Sequence, residues 1–169
     1  MRVLIATASR HGATEEIAAT IAATLRERGF DVTDSRVEDT SDIEGFDAFI
    51  LGSAVYMGRW LEPARTFVDA HDEELAMLPS WLFSSGPLGD PGKPDDHAVD
   101  VQEMLERIGP CEHRLFRGKL DRDRLGFGER TVTRMVHAPS GDFRDWSSIR
   151  AWANSIASSL LCLQDRTPS

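Results

Sequence analysis

Apolar residues along this chain follow two rhythms, short continuous runs and four-residue steps, and the two alternate. Val3-Leu4-Ile5-Ala6, Ala48-Phe49-Ile50-Leu51 and Trp81-Leu82-Phe83 are continuous runs, as expected of parallel strands buried on both faces. Residues 30–37 alternate poorly but contain a short strand, and Leu115-Phe116 marks a last one. Between these runs the period changes. Residues 14–28 place Ile17, Ile21 and Leu25 four apart with alanines beside them, and Gly29 follows as a stop. Residues 61–78 and 99–108 are helical in period. Residues 146–161 predict a closing amphipathic helix with Ile149, Trp152, Ile156 and Leu160 on one face.

Strand and helix in alternation predict an α/β fold. Parallel neighbours need right-handed crossovers, which place helices on both faces of a five-stranded doubly wound sheet. With strand order 2-1-3-4-5, the ligand crevice lies outside the carboxyl ends of the first and third strands. The 169 residues suit one domain with a substantial core. Two stretches interrupt the rhythm. Residues 85–96 follow a strand and are rich in Gly, Pro and Asp, which suggests a functional loop. Residues 118–145 are longer than a usual connection and are expected to hold a short helix around 130–137.

Composition narrows the class of function. A hydrophobic fraction of 41% with 28% charged residues is that of a soluble globular protein. No apolar run approaches membrane-spanning length, and the amino terminus lacks a signal-peptide pattern, so a cytoplasmic protein is expected. Cys111 and Cys162 form no ligand or disulfide pattern, and the five histidines are scattered, so no metal is expected. A net charge of −9 argues against general nucleic-acid binding. Against that background, residues 114–134 carry seven basic and three acidic residues. Such a patch suits an acidic partner, a propionate-bearing substrate or anionic lipid, or is a solvated face.

The candidate chemistry begins at Ser9-Arg10-His11-Gly12-Ala13-Thr14, between the first strand and the first helix. The first N–H groups of a helix lack intrahelical partners and sit at its positive end, so they receive anions. Ser9 and Thr14 add hydroxyls, and Gly12 allows a close turn. The spacing is neither a Walker nor a GxGxxG pattern, which favours a phosphate monoester over a nucleoside triphosphate or dinucleotide. A capped βα turn would look the same. The segment from Gly52 to Trp60 combines glycines, Tyr56, Met57 and Trp60 at the predicted crevice, suited to a flat heteroaromatic ring. Tyr56 and Trp60 equally suit a core or a helix start. Ser84-Ser85-Gly86-Pro87-Leu88-Gly89-Asp90 presents backbone groups that could meet a polar ring edge, or is a surface turn.

Taken in order, these three segments resemble the flavodoxin superfamily over nearly the whole chain. The first two resemble most the bacterial menaquinone-dependent protoporphyrinogen oxidase group, as does the long insertion before the last helix. The resemblance implies a three-layer flavodoxin-like fold and noncovalent FMN. It implies that Ser9, Arg10, His11, Gly12, Ala13 and Thr14 hold the phosphate. Ser53, Ala54, Val55, Tyr56, Met57 and Gly58 would line the isoalloxazine, with Tyr56 or Trp60 near its face. Ser85, Gly86, Leu88 and Gly89 would take the remaining edge. The flavin carries the chemistry, so no side-chain acid or base is assigned.

The implied activity is an oxidoreductase taking electrons from a tetrapyrrole and passing them to a quinone, with peripheral contact at the inner membrane face. Only Lys93 is basic in the third loop, and the insertion is less apolar than a membrane-facing segment. Both departures weigh against a porphyrinogen substrate and leave FMN untouched. The alternative is an electron carrier between protein partners, which the acidic surface suits. A nicotinamide-dependent reductase ranks lower because no nicotinamide site is evident.

Overall fold

The computed structural model describes residues 1–56, 58–86, 99–120 and 141–165. Its elements run β1 (Arg2–Ala8), α1 (Ala13–Glu27), β2 (Asp31–Arg36), β3 (Ala48–Tyr56), β4 (Arg59–Trp60), α2 (Glu62–Met77), β5 (Ser80–Gly86), α3 (Val99–Ile108), β6 (Glu112–Arg117), β7 (Lys119–Leu120), β8 (Gly141–Asp142) and α4 (Trp146–Asp165). Five strands pair in parallel in the order β2-β1-β3-β5-β6. Counted among themselves, these five have the predicted order 2-1-3-4-5.

Two-residue alternation along the central strands sorts the core into two layers. Val3 and Ile5 of β1, Ala48 and Ile50 of β3, and Trp81 and Phe83 of β5 pack with Ile17, Ile21 and Leu25 of α1 and with Ile149, Trp152, Ile156 and Leu160 of α4. Leu4 and Ala6, Phe49 and Leu51, and Leu82 point the other way, against Phe67, Val68 and Leu75 of α2 and Val101, Met104 and Ile108 of α3. The continuous apolar runs therefore arise because both faces of each central strand are covered. Gly29, at φ 89°, ends α1 in the left-handed conformation that lets the chain turn into β2. Helix α2 is kinked at His71, whose φ of −133° and ψ of 19° leave the helical region.

Two expected loops are instead strand. The chain continues past Gly52-Ser53 as strand through Tyr56 and returns as β4, with Val55 opposite Trp60 and Tyr56 opposite Arg59. Gly58, at φ 73°, supplies a backbone that this tight return needs. Ser84, Ser85 and Gly86 complete β5 rather than opening a loop. The cause is register: Ser53 pairs with both Ala8 and Ser84, and Ala54 pairs with Ser85, so these polar positions keep ladder partners. At the edges of residues 118–145, β7 and β8 form a small antiparallel ladder. The helix expected around 130–137 lies outside the described residues.

Candidate functional site

The carboxyl ends of β1, β3 and β5 meet at one edge of the sheet, and this brings the three predicted segments together. Thr14 is the most telling residue of the first. It is 1% exposed, and its Oγ1 has no hydrogen-bond partner. A buried hydroxyl without a partner carries a desolvation cost that an anion seated in the turn would relieve. Around it the turn is tightly made. The Gly12 N–H donates to Ser9 Oγ at 3.0 Å, and Gly12 itself adopts φ 82°, ψ −8°. Ala13 is half-buried at the start of α1, while Arg10 and His11 are exposed. The buried Thr14 hydroxyl thus stands in the first turn of α1, directly after the Ser9–Gly12 turn.

The second segment reaches the first through Arg10, whose guanidinium lies over the Tyr56 ring, 4.6 Å from its centroid. Such stacking is a cation–π contact. Ala54, Val55, Tyr56 and Gly58 are half-buried beside it. Ser53 and Trp60 are turned inward. Ser53 is fully buried, donating to the Ala54 carbonyl at 2.9 Å and accepting from the Leu61 N–H at 3.1 Å, which fastens the hairpin to the start of α2. Trp60 is 1% exposed among the residues of the α2–α3 layer. Its indole N–H donates to Ser84 Oγ at 2.8 Å, and Ser84 in turn lies 2.9 Å from His113 Nε2. Of the two roles open to Trp60 in the sequence, the core is the one it takes. Tyr56 is the aromatic residue beside the turn.

From the third segment, Ser85 is buried, and Gly86 lies close under Val55, where a Cβ would stand 3.3 Å from the Val55 side chain. Met57, Leu88 and Gly89 lie outside the described residues. So do residues 121–134 of the basic stretch. Within its described part, Arg114 is ion-paired at 2.6 Å with Glu112 on its own strand.

Sequence reasoning missed Arg144. Its side chain is 2% exposed and reaches the first turn of α1, donating to Glu16 Oε2 at 2.8 Å and to the Ala13 carbonyl at 3.4 Å. The bidentate Asp142 contact raises its already high pKa further, against the opposing effect of burial. No local pattern could reveal this, because the partners on α1 lie more than a hundred residues away. Among the described residues, no cluster of His, Cys, Asp or Glu is placed to hold a metal ion, and no helix is long and apolar enough to cross a membrane. Cys111 and Cys162 are exposed free thiols.

A family model described as Flavodoxin domain matches residues 4–147, which span β1 to the start of α4. The chain belongs to the flavodoxin-domain family. The cofactor of this flavodoxin domain is FMN, and the buried, unpartnered Thr14 hydroxyl at the start of α1 fits its phosphate monoester. Protoporphyrinogen IX dehydrogenase [quinone] of Escherichia coli K12 is 23% identical, over 93% of this chain and 95% of that protein. A flavodoxin from the domain Archaea superposes with a TM-score of 0.65 at 15% identity, covering 94% of this chain and 98% of that one. A point mutant of the flavodoxin from Pseudomonas aeruginosa gives 0.61 at 18% identity, covering 95% of this chain and 99% of that one. The structural likenesses establish the fold, and the family match establishes an FMN-binding redox protein.

Proposed function

We propose that this flavodoxin-domain protein is an oxidoreductase of the protoporphyrinogen dehydrogenase type, which takes electrons in pairs from a reduced tetrapyrrole and delivers them to a quinone. The observation that carries this reading is the extent of the match to the Escherichia coli enzyme. It covers 95% of that protein, so the long connection before the last helix falls inside the shared length. Bound FMN supplies the redox chemistry, and the side chains supply position and electrostatics.

The roles in this reading are those the family resemblance implies. Ser9, Arg10, His11, Gly12, Ala13 and Thr14 hold the phosphate, with the Thr14 hydroxyl donating to it. Ala54, Val55, Tyr56, Met57 and Gly58 line the ring, and Ser85, Gly86, Leu88 and Gly89 take its far edge. Ser53 and Trp60 act behind this surface by fastening the hairpin. With Arg10 on the Tyr56 face, the site also has a cation suited to the anionic side chains of a tetrapyrrole.

An electron carrier between protein partners is the second reading. The net charge of −9 favours it, because an acidic surface suits a small, salt-sensitive contact with a basic redox protein. Anaerobic photoreduction of the FMN-loaded protein, combined with turnover of protoporphyrinogen IX in the presence of a water-soluble quinone, separates the two. Reduction in a single two-electron stage with quinone-dependent turnover is expected. Reduction in two well-separated one-electron stages without turnover would assign the carrier role instead. Failure to retain FMN would overturn both.

A further inference from the structure

Arg144 is the one charged residue in the buried set among the described residues. A guanidinium taken out of water is costly unless its donors are paired. Here they are paired on two sides. Nε and Nη2 grip Asp142 at 2.7 and 2.6 Å, and Nη1 reaches Glu16 and the Ala13 carbonyl on α1. The guanidinium also lies over the Trp146 ring, 4.4 Å from its centroid. One side chain therefore joins the chain ahead of α4 to the turn of α1 that contains the unpartnered Thr14 hydroxyl.

That turn has an electrostatic conflict. Glu15 and Glu16 both fall in the first turn of α1, where carboxylates favour the helix dipole but repel a dianion on the same N–H groups. Each glutamate faces an arginine from elsewhere in the chain. Glu15 lies 3.6 Å from Arg36, in a pair open to solvent, where salt screens it. Glu16, itself open to solvent, is held at 2.8 Å by an Arg144 side chain that is only 2% exposed.

We propose that Arg144 is a positioning residue for the FMN phosphate: it fixes the first turn of α1, whose N–H groups receive the phosphate, and it neutralises Glu16 beside them. The proposal rests on the FMN reading of this turn. It predicts a penalty confined to the phosphate, and riboflavin, which has the same ring without the phosphate, serves as the comparison ligand.

The test is a pair of flavin-fluorescence titrations, FMN and riboflavin, on the wild type, Arg144→Met, Arg144→Lys and the double variant Arg144→Met with Glu16→Gln. Arg144→Met is expected to weaken FMN by about tenfold or more while changing riboflavin by less than about twofold. Removing the Glu16 charge in that background is expected to recover part of the FMN loss. Lysine keeps the charge without the planar fork, so Arg144→Lys should give a smaller loss of the same selectivity, and it decides the matter if the methionine variant fails to fold. Equal losses of FMN and riboflavin, or an FMN affinity that does not change, would overturn the proposal. A wild type that binds neither flavin would instead overturn the FMN reading itself.

Discussion

At the scale of single residues, two positions carry sharp expectations. Gly52 sits in the middle of β3, where a Cβ would overlap the Phe83 ring on the neighbouring strand. Phe83 is fully buried against Phe116 and Trp152, with centroids 6.0 and 6.1 Å away, so it has no room to yield. Gly52→Ala should therefore destabilise the protein by about 1–3 kcal/mol, read from urea unfolding. Thr14 should behave in the opposite way. Its buried hydroxyl has no partner, so Thr14→Val should leave the flavin-free protein as stable as before or slightly more so. The same change should weaken FMN about tenfold, since a hydrogen bond to a charged group is lost. A variant that loses stability and keeps its FMN affinity would show that the hydroxyl serves the fold instead.

At the scale of elements, the helices are held by carboxylates at their ends and flanks. Asp145 caps α4, its Oδ1 accepting from the Ser147 N–H at 3.0 Å and the Ser148 N–H at 3.1 Å, and from the Ser147 hydroxyl at 2.6 Å. These bonds, the Ser147 hydroxyl foremost, hold its carboxyl below the usual aspartate range. Between α2 and α3, Arg107 grips Asp69 and Asp72, both at 2.7 Å, and the bond to Asp72 lowers that carboxyl's pKa in turn. A carboxyl depressed in the folded protein adds stability in full above its ordinary value of 3.8 and loses it as pH falls through the folded value. The part of the stability that these two solvent-screened carboxyls supply should therefore fall away below about pH 4. In a variant combining Arg107→Gln with Asp145→Ala, that decline should be shallower. Urea midpoints measured across acid pH decide this, and parallel curves for the two proteins would refute it.

At the scale of the whole molecule, a sheet covered on both faces should be most protected at its centre. β1, β3 and β5 each have a parallel neighbour on both sides and helices above and below. Native-state hydrogen exchange should find the slowest amides there and faster ones in the edge strands β2 and β6. A slow β6 with a fast β1 would contradict the two-layer core. The same architecture explains why the site lies where it does, because β1, β3 and β5 end together in register at their carboxyl ends.

Much of this was legible in the chain itself. Periodicity is a local property, so the runs at Val3, Ala48 and Trp81 and the four-residue steps of α1 and α4 determined which segments are strand or helix and in what order. The turn between β1 and α1 was legible for the same reason, since turn, glycine and helix start are neighbours in sequence. Where the strands end was not legible. Ser53, Ala54 and Ser84 to Gly86 look like loop, and only their ladder partners on distant strands make them strand, while Val55 and Tyr56 pair with β4 across the hairpin. Tyr56 and Trp60 are alike in sequence, yet the hairpin sends one toward Arg10 and the other onto Ser84. Arg144 is an ordinary polar residue until α1 is folded against it. Burial and pairing belong to residues far apart along the chain, and only the tertiary structure brings them together.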